Sequence, residues 1–266
     1  MKFAPRWHLF ALFLAVTVCL CGLRAVAAGE LSAEEIIKRA VAASQKPSQQ
    51  ISTHAGYTYT KVTVTEELDP AGHVRDRQQR VYQVNIRNGA SHLSLVTVNG
   101  RAPTESDIRK LAENEAKVQE SLGKPKGLKS DNVLTPELAA RFKFSLVEKT
   151  ITDGRTSYVM DFSPLNPDTS AHHVMDRFLN SLSGRLWIDA EEFEVARAEI
   201  KLGSEVTLLG GMVGSLKKLA YTLTRSRLSD GLWLNTYSRG DYEGRKLIES
   251  MRIKTMTQSS NFRPVS

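Results

Sequence analysis

From Tyr57 onward the chain adopts a two-residue period and returns to it almost to its end, which constrains it to sheet before anything else. Thr58, Thr60, Val62 and Val64 alternate with Tyr59, Lys61 and Thr63 in a β-branched run. Asp69-Pro70-Ala71-Gly72 reads as a turn, because proline presets φ and glycine accepts a positive one. A second strand puts Tyr82, Val84 and Ile86 on one face and Gln83, Asn85 and Arg87 on the other. Asn88-Gly89 predicts a hairpin into a third strand, Leu93 to Val98, which stops at Asn99-Gly100. Further strands are predicted at Phe142 to Val147, Tyr158 to Phe162, Arg185 to Asp189 and Val195 to Leu202. Three more follow at Leu219 to Leu228, Leu232 to Tyr242 and Lys246 to Met256. Asp153-Gly154, Asp230-Gly231 and Glu243-Gly244 read as the tight turns between neighbours. So many one-sided strands are most simply buried in a single curved antiparallel sheet, an incomplete β-barrel covered by helices: mainly β with helices, an α+β chain.

Helical periods interrupt the strands. Ser32 and Glu35 have capping-box spacing before the stripe Ile36, Ile37, Ala40 and Val41. Thr104 or Ser106 can cap an inserted helix over about 104–122, with Ile108, Leu111, Ala112, Val118 and Leu122 on one side and charge on the other. A loop carrying Lys124, Lys126 and Lys129 follows. Thr135-Pro136 opens a short turn, with proline at the first helical position. Ser170 can cap another short helix whose stripe is Val174, Met175, Phe178, Leu179 and Leu182, ended by Gly184. Gly210-Gly211-Met212-Val213-Gly214 reads as an apolar flexible loop.

Ahead of all this, Lys2 and Arg6 lead into the apolar run Leu9 to Leu23, then Ala25, Val26, Ala27 and Ala28. That order is a secretory signal peptide, predicted over 1–28 with cleavage after Ala27 or Ala28, leaving one domain over 29–266. An uncleaved anchor is the competing reading, but the run falls short of the ~20 residues a span needs. Cleavage removes Cys19 and Cys21, so neither a disulfide nor a thiolate zinc site is open to the mature protein. It also takes Lys2, Arg6 and Arg24 out of the net charge of +7, while all 29 acidic residues stay. An exported chain of modest basicity is not expected to bind nucleic acid.

Catalytic patterns are sparse. No Gly-x-Ser-x-Gly elbow, phosphate loop or dinucleotide fingerprint occurs. His172-His173 with Asp176 is a poor chelating set, since adjacent helical residues point about 100° apart. Asp189, Glu191, Glu192 and Glu194 cluster at a strand turn, where hydrated surface charge is expected and an acid–base pair is the rival reading. Neither a catalytic residue, a metal nor a cofactor is predicted.

The whole pattern resembles the bacterial outer-membrane lipoprotein-sorting superfamily, the LolA/LolB-like periplasmic carriers, in a larger variant with an extra helix after the third strand. The pieces that carry the resemblance are the exported leader, the run Tyr57 to Asp69 into Gly72, Tyr82-Gln-Val84 and Leu95-Val-Thr-Val-Asn-Gly100. Leu182-Ser-Gly-Arg-Leu-Trp-Ile-Asp189, Leu209 to Leu216 and Asp230-Gly-Leu-Trp-Leu234 complete it. The resemblance implies a half-barrel under a helical lid and a non-enzymatic periplasmic carrier of lipid or lipoprotein acyl chains. An envelope sensor or protein-interaction module of the same fold, docking an envelope membrane protein, is the alternative. By strand parity the expected cavity residues are Tyr82, Val84, Ile86, Leu93, Leu95, Trp187 and Trp233, with Val174, Met175, Phe178 and Leu179 from the helix.

Overall fold

The computed structural model describes residues 30–45, 56–87, 90–121, 134–167, 173–208, 214–246 and 249–265. Its frame is one antiparallel sheet of eleven strands. The first five are β1 (Tyr57–Leu68), β2 (Val74–Arg87), β3 (Ala90–Val98), β4 (Phe142–Thr152) and β5 (Arg155–Pro164). They are followed by β6 (Leu182–Asp189), β7 (Val195–Leu202), β8 (Val206–Leu208), β9 (Gly214–Arg227), β10 (Trp233–Lys246) and β11 (Glu249–Pro264). In space they run β3-β2-β1-β11-β10-β9-β7-β6-β5-β4, and β8 pairs with β9 beyond β7. The long-range junction is β1 against β11, where the N-terminal meander meets the last strand. β3 and β4 end the path, so the sheet is open. Each carries a bulge, at Val96 and Val147, that bends an otherwise exposed edge.

Local chemistry accounts for most of the turns. The Asp69 carboxylate accepts the His73 amide at 2.8 Å, and Gly72 takes φ +93°. Asn99 and Gly100, both at positive φ, turn β3 back so that Val98 and Arg101 bridge. Residues 88–89 and 209–213, where the Asn-Gly hairpin and the glycine loop were read, lie outside the described residues. So do the leader, the lysine loop and Ser170.

Two predicted stops are not stops. Glu243-Gly244 lies inside β10, which runs on to Lys246, and the ladder to β9 shifts register there. A Cβ at Gly244 would meet the Ser215 carbonyl oxygen, so glycine permits close strand approach and makes no turn. Gly184 likewise sits mid-strand in β6, where a Cβ would collide with the Glu199 carbonyl oxygen of β7. Leu182, assigned by periodicity to the helix stripe, opens β6 instead. β8 was too short to be read from the sequence, and β11 runs eight residues past the predicted end at Met256, to Pro264, with a positive-φ bulge at Asn261.

Four helices lie among the described residues: α1 (Ala33–Gln45), α2 (Glu105–Ser121), α3 (Pro136–Ala139) and α4 (Val174–Leu179). Ser32 Oγ accepts the Glu35 amide at 3.2 Å and Thr135 Oγ accepts that of Leu138 at 3.3 Å, as the capping patterns predict. At α2 the cap is Thr104: its Oγ accepts the Asp107 amide, and Asp107 accepts the Thr104 amide in return. α1 packs on β4 and α3, and α4 lies beside β8. The Arg39 guanidinium of α1 sits 5.2 Å over the Phe193 ring, which stacks on Tyr158 of β5. That places α1 on the Tyr158 side of the sheet. No helix among the described residues is long and apolar enough to cross a membrane.

Candidate functional site

Residues paired across neighbouring strands point to the same face, so the ladders can be followed from edge to edge. One transverse row runs Val98, Arg80, Thr63, Thr257, Ser238, Leu223, Ala198, Leu186, Met160 and Leu146, from β3 to β4. The row behind it runs Thr97, Val81, Val62, Gln258, Tyr237, Thr224, Arg197, Trp187, Val159 and Glu148. The first face bears α1. Towards β4 it is mainly apolar, with Met160, Ile188 and Ala198 fully buried and Lys149 reaching over the Tyr158 ring at 5.4 Å. Towards β3 its apolar part is concentrated at one end, where Tyr57, Ile86, Leu232 and Leu234 cluster with Tyr59, Leu228 and Phe262.

The predicted cavity residues divide by position. Tyr82, Val84 and Ile86 lie on the helix-bearing face and are buried. Leu95 and Leu93 stand opposite Tyr82 and Val84 on that same face, and Leu93 is 43% exposed. On α4, Val174, Phe178 and Leu179 are half-buried, whereas Met175 is exposed. Trp187 is on the other face, in register with Val159 and Arg197, whose guanidinium lies 4.9 Å over its ring. The inward neighbours are Leu186 and Ile188. Their spacing from Leu182 in Leu-Ser-Gly-Arg-Leu-Trp-Ile is the signal that the size of the tryptophan obscured. Trp233 is buried at the start of β10, and its ring N–H donates to Glu192 at 2.6 Å. It belongs to a polar lattice, not to the apolar wall.

That lattice is the carboxylate cluster at the β6–β7 turn. Asp189 is buried, against the expectation of a hydrated turn. Its two oxygens accept Arg155 Nε and Nη2 at 2.6 and 2.9 Å, and one also accepts the amides of Glu191 and Glu192. Burial pushes the carboxyl up, but the Arg155 pair and the two amides outweigh it and hold it below the usual range. Glu191 shares Arg155, Glu192 binds Arg227 at 2.7 Å and Glu194 binds the buried Arg225 at 2.7 Å. Each carboxylate is thus committed to a guanidinium, an arrangement that fixes a turn and leaves no poised acid or base. At the same rim the Tyr57 hydroxyl donates to Asp230 at 2.6 Å, and burial with that bond pushes the phenol up to about 12. Asp176, from the histidine cluster, pairs with Arg141 at 2.8 Å, while His172 lies outside the described residues.

The expected hollow is not matched by the concavity of about 480 Å³ in the sheet. Its walls are Asp161, Arg185, Glu199 and Thr222 on one side and Ser183, Lys201 and Ala220 on the other, with the backbone of Phe162, Gly184, Ile200 and Tyr221 as floor. All seven wall residues belong to the face opposite α1. Arg185 bridges Asp161 at 2.6 and 3.1 Å, and Arg197 pairs with Glu199 beside them. This groove is an ionic surface, unsuited to an alkyl chain.

No family model and no curated protein matches the sequence. Among solved structures, the chain is similar to a DUF1329 family protein from Desulfovibrio piger, with 11% identity over 88% of this chain and 93% of that one at a TM-score of 0.36. It is similar to a LolA superfamily protein from Nitrosomonas europaea, with 11% identity over 89% and 94% at 0.31. A Pseudomonas aeruginosa MucA/MucB complex aligns with 9% identity over 88% and 99% at 0.26. The similarity is one of fold.

Proposed function

We propose that this chain is a periplasmic, non-enzymatic binding protein that takes lipid or lipoprotein acyl chains on the helix-bearing face of its sheet. The observation that carries the reading is the one-sidedness of that face. Aromatic and aliphatic side chains from β2, β3, β5, β6 and β9 share it, the close helix contacts fall on β4 and β8, and Leu93 and Leu95 keep solvent contact near the β3 edge. Each methylene that leaves water for such a surface gains ~0.8 kcal/mol, which a carrier needs to shelter an acyl chain across an aqueous compartment. Export rests on the N-terminal leader pattern. The ionic groove on the opposite face supplies no shelter of this kind, so the guest is taken where Leu93 and Leu95 leave the helix-bearing face open, near the β3 edge.

Native mass spectrometry of delipidated protein titrated with a palmitoylated peptide tests the reading. Wild type is expected to hold one peptide, and Leu93→Glu to bind at least about tenfold more weakly, with an unchanged circular dichroism spectrum. Failure of the wild type to retain any acylated ligand would sink the proposal.

A second reading, an interaction module that docks an envelope protein, draws on α2. This helix is firmly capped yet leaves Ile108 54% exposed. A copurifying protein lost on deletion of 104–122, with acyl binding intact, would favour it.

A further inference from the structure

The helix-bearing face is not uniformly apolar, and the exception has a definite place. Beside the buried Tyr82 and Val84, the next positions on β1 and β2 are Lys61, opposite Tyr82, and Arg80, opposite Thr63. Their neighbours on β11 and β10 are Ser259, Thr257 and Ser238, and Thr63 and Thr257 share a hydroxyl–hydroxyl bond of 3.1 Å. Two cations and a run of hydroxyls therefore border an apolar patch on one continuous surface. Arg80 is half-buried, flanked by the fully buried Val98 of β3, and has no carboxylate within ion-pair distance among the described residues. The acids further along the same face are Glu67 and Asp76, in register with each other two rows away, and Glu67 is already held by Arg75 at 2.8 Å. Arg80 therefore offers a cation with no carboxylate partner among the described residues, on a half-buried stem beside apolar surface.

We infer that Arg80 receives the anionic head of an amphiphile whose tail lies on the exposed Leu93 and the half-buried Leu95 of β3, beside the buried Tyr82 and Val84. This rests on the acyl-binding reading above and adds the chemistry of the head group, a phosphate or carboxylate. The guanidinium suits it because planar paired N–H donors match two oxygens of such a head. The tail leaves the head on the side where the hydroxyls stand, so one ligand satisfies both halves of the surface. Charge complementarity selects this occupant over a neutral lipid.

Dodecyl phosphate and dodecyl maltoside, each below its micellar range, carry the same tail on charged and neutral heads. Isothermal titration is expected to show dodecyl phosphate binding wild type about tenfold tighter than the maltoside. Arg80→Ala should remove most of that preference while leaving maltoside affinity within about twofold, and Arg80→Lys should keep part of it. Inorganic phosphate alone should not displace the amphiphile. Equal affinity of wild type for the two heads, or a folded Arg80→Ala that keeps the preference, overturns the head-group assignment and leaves the acyl reading standing. Displacement by inorganic phosphate at matching concentration overturns it too, by making this a free-anion site. If neither amphiphile binds, both readings fall together. Should Arg80→Ala fail to fold, Arg80→Gln carries the same comparison.

Discussion

At the scale of single residues, the carboxylates at the β6–β7 turn show how far a side chain's role depends on partners that the local sequence does not reveal. Asp189 is the last residue of an alternating strand, and its identity alone fits a solvated turn. Its partner Arg155 is 34 positions away, brought beside it because β5 and β6 pair with Ser157 opposite Asp189. Asp189 is buried, but Arg155 is 28% exposed and keeps Glu191 as a partner, so Asp189→Asn is expected to lower the urea-unfolding free energy by about 1–3 kcal/mol. The pH dependence has a definite sign. The folded carboxyl lies below its ordinary value of 3.8, so its contribution is fully present above pH 4 and drains away as pH falls through the lowered folded value. Wild type should lose stability over that acidic range, and the Asn variant should lack this part of the loss when urea midpoints are compared across pH. Trp187 carries the same lesson in another form. Its bulk drew it into the predicted wall, but parity with Leu186 and Ile188 sends it to the ionic face under Arg197.

Elements were legible where their signals are local. Three helix starts could be placed from caps, and the structure chooses Thr104 from the two candidates for α2 because Asp107 closes the reciprocal pair with it. α4 instead starts after His173, which makes no side-chain cap bond, and not at the predicted Ser170. Thr104→Ala is therefore expected to speed amide exchange in the first turn of α2 roughly fivefold, as loss of a cap worth about 1 kcal/mol requires. Hydrogen exchange read by mass spectrometry checks this, and unchanged protection would contradict it. Strand ends were harder. Glycine signals a turn when it needs a positive φ, as Gly72 and Gly154 do at +93° and +77°. It signals close backbone approach when a neighbouring carbonyl leaves no room for a Cβ, as at Gly184 and Gly244. The residue type is the same in both cases, and only the neighbouring strand distinguishes them.

On the scale of the whole molecule, the open path from β3 to β4 decides both dynamics and binding. Central strands are bonded on two sides and edge strands on one, so amides of β9 and β10 should outlast those of β3 and β4 by at least about tenfold in native-state exchange. Uniform protection across the sheet would mean that the edges are covered in solution. The alternating runs, the turn residues at Asp69 to Gly72 and Asn99-Gly100, and the caps at Ser32, Thr104 and Thr135 were determined by the sequence, because period, φ preference and capping act over a few residues. From them followed a mainly β, one-sheet chain with Tyr82, Val84 and Ile86 on a common face. The tertiary structure alone decided that β1 lies against β11, which carries the transverse row from Arg80 through Thr63 and Thr257 to Leu223 and Met160. It alone set Asp189 on Arg155 and the ionic groove behind the helix-bearing face. Strand neighbours and register are fixed by contacts between distant segments, and a one-residue slip reverses every side chain, so no local pattern could have supplied them.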